Sequence, residues 1–458
     1  MCRGHARTMA TALAVHLQVT LAEDEAPAPS GPGGAEGLEA LVAGSMLEGV
    51  YYAEVLLGSP RPQKASLIVD TGSWMTATAC KGCKDCGRHS DSLFDTSQSR
   101  SATWEPCGPF CHDRCRGGQC LYREKYLEGS GIEGRWLRDR LCFLAEGAEA
   151  SLKKTSNDIR QCGGHATIGC SFQESGLFRS QKPTGILGLA HGSSQQPTLV
   201  SQLLGSRLKA GMSDSLAFSL CLRDVGGRLR FGGRSGGNDA RKVRWVPLHS
   251  SGPHGKYYVT IHELAVNGKR LRTQLGQAQL DSASTLTYLS KDAYKWLRQN
   301  IEDYCQQHKH CGAVMPPPGG HDHRVCWTIN GPGYHLPDVR WGFKDGVEVD
   351  WKPHAFLLPQ GPGKKRLCYA FAHSRALPDG TSIVLGASWM VDRDLLFDVG
   401  RSRLGIARAS CNGSHHGSAH KAASSRKSKA RPRSVERGRQ AAAASEAAGR
   451  APWTREGD

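Results

Sequence analysis

Two short segments carry residue types that can activate water. Asp70-Thr71-Gly72-Ser73 closes the apolar run Ser66-Leu67-Ile68-Val69, and Asp281-Ser282-Ala283-Ser284 follows Ala278-Gln279-Leu280, 211 positions later. A lone Asp-Thr-Gly is usually a turn cap. Two such segments, each ending a strand-like run, predict a pair of carboxylates presented by two similar halves. Carboxyls held side by side do not both ionise easily, so they share one proton. The acid member can polarise a carbonyl while the base member takes a proton from water, with no covalent intermediate. Ser73 and Ser284 can donate to the outer carboxylate oxygens, and Thr71 and Ser282 can reach the opposite half's backbone. This chemistry calls for no cofactor and no metal.

The elements that must hold the pair repeat as well. Gly185-Ile186-Leu187-Gly188-Leu189 lies downstream of the first aspartate, and Ser382-Ile383-Val384-Leu385-Gly386 downstream of the second. Such self-similarity predicts two related lobes. Order is expected to start at the β-branched and aromatic strand Gly49–Leu57, and many short strands bounded by Gly, Pro and Asp follow. Helical periodicity is scarce and clearest over Lys291–Tyr304, so the body reads as mainly β.

The predicted organisation is a signal peptide over residues 1–22, a flexible linker over 23–48, an N-terminal β lobe with a Cys-rich insertion over 49–238, a C-terminal β lobe over 239–411, and a disordered basic tail over 412–458. Arg3, His5 and Arg7 precede the mostly apolar Met9–Ala22, as a secretory signal requires. Residues 23–48 are rich in Ala, Gly, Pro and Glu and lack Lys and Arg.

The chain has 458 residues, a formal charge of +17 and a mean hydropathy of −0.44. No run approaches the length of a membrane-spanning helix, so no transmembrane anchor is expected. Of the formal charge, +6 sits in the tail from Asn412 and the remaining +11 is spread over the body, which reads as a soluble basic surface. The cluster Arg426–Arg439 reads more simply as solvated than as a nucleic-acid tract, so no nucleic-acid partner is expected. Of the 17 cysteines, Cys2 falls in the signal, leaving an even 16 for disulfides in the secretory pathway or outside the cell. Seven crowd together: Cys80, Cys83, Cys86, Cys107, Cys111, Cys115 and Cys120. With His89, the first three also have a spacing that suits zinc or an iron–sulfur cluster, but an oxidising compartment favours disulfides. Asn412-Gly413-Ser414 is a glycosylation sequon.

In order, Asp70–Ser73, Tyr126-Leu127-Glu128-Gly129-Ser130, Thr184–Leu189, Asp281–Thr285, Leu385-Gly386 and Phe397-Asp398 resemble the pepsin-like aspartic proteases over about residues 49–411. The Cys-rich segment, Phe218–Leu222 and Ile383–Trp389 narrow the resemblance to plasmepsin V-like and nepenthesin-type members. The resemblance implies a bilobal, mainly β fold with the cleft between two similar lobes. It implies a monomeric endopeptidase acting on polypeptides of the secretory pathway, after basic-x-leucine motifs. Asp70 and Asp281 would be catalytic, and activity would not await removal of a prosegment.

The same resemblance assigns Tyr126 to a flap hairpin whose tip uses Gly129, Gly131 and Gly134, and gives Glu128 and Asp91 as receivers of a substrate arginine. It pairs Cys326 with Cys368, and Cys221 with Cys411. Three positions depart from the pattern. Ala283 stands where the family has Gly, Ala77 where pepsin has a Trp supporting the flap Tyr, and Leu127 where plasmepsin V has Cys. Ala283 keeps open an alternative, a catalytically inactive member that binds peptides or proteins.

Overall fold

The computed structural model describes residues 38–411 apart from short stretches, the longest being 145–159, 233–241 and 316–324. The expected signal peptide, the lobe boundary at 238/239, the Asn412 sequon and the basic tail lie outside the described residues.

The apolar run before Asp70 is the strand Gln63–Asp70, whose last six residues are all buried. It is a central strand, paired along both edges, and its continuous burial shows that both faces are covered as well. Val50–Leu57 pairs with it antiparallel, and Gly185–Gly188 pairs parallel on the other side, with Gly188 opposite Asp70. A strand covered on both faces needs an unbroken apolar run rather than alternation. Gly185–Gly188 in turn pairs antiparallel with Thr76–Ala79, which pairs parallel with Arg160–Ser175.

The second half repeats this arrangement. Gly276–Leu280 runs parallel to Thr381–Leu385, with Leu280 opposite Leu385. Thr381–Leu385 pairs antiparallel with Thr287–Leu289, which pairs parallel with Phe371–His373. Each aspartate therefore leaves the end of a central strand beside the apolar run that the sequence repeats.

One sheet draws strands from both halves of the chain. Ala217–Leu222 of the N-terminal half pairs with Arg393–Asp398, which carries Arg403–Arg408 and then Arg244–Pro247. Strands assigned to the C-terminal lobe thus extend a sheet of the N-terminal one. Phe218 stacks on Phe397 across this junction at 4.6 Å between ring centres. The Cys221–Cys411 disulfide ties its edge.

The linker is corrected in the same sheet. Leu38–Ser45, inside the expected 23–48 linker, is a strand between Val225–Phe231 and Val50–Leu57. Leu38, Ala40 and Val42 are buried at every second position, the period of a half-covered strand. That pattern was hidden by the Gly-, Ala- and Glu-rich composition around it.

The expected helix is present as Lys291–Gln307, burying Ala293, Leu297, Asn300 and Ile301 on one face. A second helix, Leu199–Lys209, was not anticipated; it buries Leu199, Val200, Leu203 and Leu204. Among the described residues no helix is long and apolar enough to cross a membrane.

Sixteen cysteines form eight disulfides. Those of the crowded segment pair as Cys83–Cys86, Cys107–Cys115 and Cys111–Cys120, while Cys80 reaches Cys170. Cys142–Cys162 and Cys305–Cys311 join residues that the sequence did not single out. Cys326–Cys368 is formed. The zinc or cluster spacing at Cys80, Cys83, Cys86 and His89 is thus used for two disulfides, and His89 pairs with Glu174 instead.

Candidate active site

Asp70 and Asp281 meet because the residues after them exchange hydrogen bonds. The Thr71 backbone N–H donates to Ser282 Oγ at 3.0 Å, and the Ser282 N–H donates to Thr71 Oγ1 at 3.0 Å. Thr71 Oγ1 also donates to the Leu280 carbonyl at 3.0 Å, and Ser282 Oγ to the Val69 carbonyl at 2.6 Å. All four groups are buried, so each bond also removes the penalty of an unpaired polar atom. This reciprocal clasp fixes the spacing of the two aspartates.

Each carboxylate is then oriented locally. Asp70 Oδ1 accepts from the Gly72 N–H at 2.7 Å and Oδ2 from Ser73 Oγ at 2.5 Å. Asp281 Oδ1 accepts from the Ala283 and Ser284 N–H groups at 3.0 and 3.1 Å, and Oδ2 from Ser284 Oγ at 2.9 Å. The approach is close enough to require glycine on one side. A Cβ on Gly72 would lie 2.6 Å from Asp281 Cγ. On the other side, the Ala283 side chain packs against the apolar cluster that contains Trp74 and Tyr122.

Asp70 is pushed up from 3.8 to about 7. Burial is the largest cause and the Asp281 charge the next; the Ser73 and Gly72 hydrogen bonds and the Lys256 cation pull the other way. Burial and the neighbouring Asp281 charge thus both favour the protonated form of Asp70. Lys256 is half-buried at the start of the strand Lys256–Val266 and makes no ion pair among the described residues. The preceding Gly255 accepts from the His191 N–H at 3.2 Å, and Leu189 donates to the Asp70 carbonyl at 2.7 Å. Lys256→Met is expected to raise the Asp70 value further. The alkaline limb of any dyad activity would then move up by a few tenths of a pH unit, as one partly screened charge allows. A kcat/KM profile against pH reads this; an unmoved or lowered limb would count against it.

Tyr126 sits where the hairpin of Gln119–Lys125 and Gly131–Leu144 turns over. Its hydroxyl is buried beside Ser73 and Asp70. Burial, then the Asp70 charge, hold that hydroxyl well above its ordinary pKa, so it remains a donor. The aromatic support that Ala77 cannot give comes from Phe178, whose ring centre is 5.2 Å from that of Tyr126. Sequence reasoning missed Phe178; the missing aromatic at position 77 was the available signal. Only Gly129, at φ 92°, serves the turn itself. Gly131 and Gly134 are strand residues paired with Lys125 and Tyr122, not the hairpin tip that was expected.

The two expected arginine receivers differ. Glu128 is exposed on the hairpin and makes no ion pair among the described residues. Asp91 is already engaged. It accepts from Ser66 Oγ at 2.5 Å and pairs with Lys64 at 3.4 Å, its side chain 9% exposed. Lys64 is shared, since its ammonium lies closer to Glu54, at 2.7 Å.

Comparison with known proteins follows the same halves. The N-terminal half, residues 51–233, matches the family model described as Xylanase inhibitor N-terminal, and residues 256–408 match Xylanase inhibitor C-terminal. Aspartic protease 5 of Toxoplasma gondii is 27% identical over 80% of this chain and 37% of its own length. Plasmepsin V of Plasmodium falciparum is 30% identical over 40% of this chain and 29% of its own. Nepenthesin-2 of Nepenthes gracilis is 24% identical over 80% of this chain and 79% of its own. The chain thus matches about a third of the length of the first two. Among solved structures, basic 7S globulin from soybean aligns with a TM-score of 0.62 at 17% identity, covering 82% of this chain and 96% of that one.

Proposed function

Because the chain belongs to the pepsin-like aspartic protease family, we propose that it hydrolyses peptide bonds with Asp70 and Asp281 acting together on water. The observation that carries this reading is the Thr71–Ser282 clasp, which brings Asp281 so near Gly72 that no side chain fits there. In the reaction, Asp70 keeps the proton and donates it toward the scissile carbonyl oxygen. Asp281, already accepting three hydrogen bonds, takes a proton from water as the water attacks. The Tyr126 hairpin closes over the peptide and excludes bulk solvent. The tetrahedral intermediate then collapses: the C–N bond breaks as Asp281 passes the proton taken from water to the leaving nitrogen, and Asp70 recovers its proton from the diol hydroxyl.

The substrates are polypeptides in an oxidising compartment, the endoplasmic reticulum or Golgi lumen or the cell exterior, where eight disulfides persist. For cleavage after basic-x-leucine motifs, Glu128 is the carboxylate left to receive a guanidinium.

A digest of a peptide library by the purified protein tests both claims. Asp281→Asn is expected to lower kcat/KM by at least about 10³-fold, and arginine two residues before the cleaved leucine to be enriched among products. Equal cleavage by parent and variant would end the protease reading. A protein-binding role would then remain, which Ala283 and the xylanase-inhibitor description of the family models favour.

A further inference from the structure

A buried ion pair lies behind the Tyr126 hairpin, outside the dyad. His89 Nε2 is 3.1 Å from Glu174 Oε2, and both side chains are 1% exposed. His89 Nδ1 faces the Gln181 carbonyl at 3.2 Å, and the Gly87 N–H donates to the same Glu174 oxygen at 3.3 Å. The backbone on either side follows the pair. Ser90 N–H and Oγ both donate to the Lys182 carbonyl, at 2.8 and 2.9 Å. The loop that carries His89 is itself anchored by Cys83–Cys86 and by Cys80–Cys170, the latter on the same strand as Glu174.

The other side of Glu174 is the hairpin. Glu174 stands opposite Ile132 in the strand register, and Ser175 opposite Gly131. The chain then turns into the short helix Gly176–Arg179. There the Leu177 N–H donates to Ser130 Oγ at 2.9 Å, and Phe178 lies against Tyr126. One short segment, 174–182, therefore touches His89 on one side and both Tyr126 and Ser130 on the other.

We propose that His89 is a positioning residue for the Tyr126 hairpin: its pairing with Glu174 seats the segment on which Tyr126 and Ser130 rest, and loss of the pairing loosens the hairpin while leaving the rest of the fold intact. What the hairpin closes upon depends on the protease reading; the seat itself does not.

The groups that face the pair set its response to pH. His89 meets the Glu174 carboxylate and the Gln181 and Pro183 carbonyls; Glu174 also meets the Gly87 amide and lies near the Tyr122 hydroxyl. Burial alone would lower the His89 value, but the Glu174 hydrogen bond and charge outweigh it and raise it above 6.5. A histidine raised on folding stabilises below its unfolded value and loses that contribution as pH climbs through its folded one. The seat is therefore firm in acid, where a shared dyad proton is also retained, and it slackens toward alkaline pH.

Hydrogen exchange of the full chain tests this, with intrinsic base catalysis subtracted. In the parent, amides of 126–134 and 176–182 should lose protection as pH rises above 6.5, while those of Arg393–Asp398 do not. His89→Gln should lose about tenfold in protection at 126–134 already at acid pH, equivalent to ~1.4 kcal/mol. Glu174→Gln, which keeps an acceptor for Gly87, should fold and should lack the pH step. Unchanged protection at 126–134 in both variants would overturn the proposal, and so would equal loss in Arg393–Asp398. With a cleavable peptide, His89→Gln should raise KM more than it lowers kcat. A parent without peptidase activity that still shows the exchange pattern would end the protease reading and leave this inference standing.

Discussion

Asp70→Asn is expected to remove peptide hydrolysis and, separately, to flatten the dependence of stability on pH. The second effect follows from the raised Asp70 value. Below 3.8 both the folded and the unfolded carboxyl are protonated, and the contribution is fully present. Between 3.8 and about 7 the unfolded chain releases its proton while the buried Asp70 keeps it, so the parent loses stability as pH rises. The difference amounts to on the order of 4 kcal/mol across that window. Asparagine has no proton to lose, so the Asp70 share of the slope should vanish and the variant's dependence on pH should be shallower than the parent's. Urea midpoints measured at intervals across the window decide the matter. Parallel curves for parent and variant would mean that burial and the Asp281 charge do not act on Asp70 as described.

The second large effect concerns a methyl group. Gly72→Ala would place a Cβ 2.6 Å from Asp281 Cγ and 2.8 and 3.0 Å from its oxygens. The carboxyl must shift, and its hydrogen bonds from Ala283 and Ser284 shift with it. A displacement of this size is expected to cost at least about 10²-fold in kcat/KM. The mirrored change, Ala283→Gly, relieves nothing, because that side chain already packs against the apolar cluster that contains Trp74 and Tyr122. It should cost roughly 0.5–1 kcal/mol of stability through added backbone freedom and leave activity of the same order. Kinetics and thermal unfolding of the two variants side by side make the comparison. Parental activity in Gly72→Ala would contradict the close approach of Asp281.

The pair of aspartate segments was legible because each is a local signal, an apolar run with a turn motif at its end. The same holds for Lys291–Gln307, whose buried face repeats along one helix. What escaped was non-local. Nothing in Arg393–Asp398 states which sheet it will extend, since an apolar strand pairs as readily with one edge as another, and its partner lies at Ala217–Leu222. Leu38–Ser45 escaped for a different reason: its alternation lies inside a stretch whose Gly-, Ala- and Glu-rich composition reads as a linker. Cys80 was read with its near neighbours, yet its bond runs to Cys170, 90 residues on. Asp91 shows a further limit. The residue type suits a guanidinium, but the fold sets it beside Ser66 and a Lys64 shared with Glu54, neighbours that its own sequence context does not announce.

The sheet that joins Ala217–Leu222 to Arg393–Asp398 bears on biosynthesis. A nascent chain halted after Phe371–His373 would hold every residue of the clasp and both aspartates. It would still lack the strands that cover Ala217–Leu222, leaving an unpaired edge with Phe218 beside it. The sheet around Ala217–Leu222 cannot finish until Arg393–Asp398 has emerged, so co-translational assembly must wait for that distant strand, and the open edge is exposed to mispairing meanwhile.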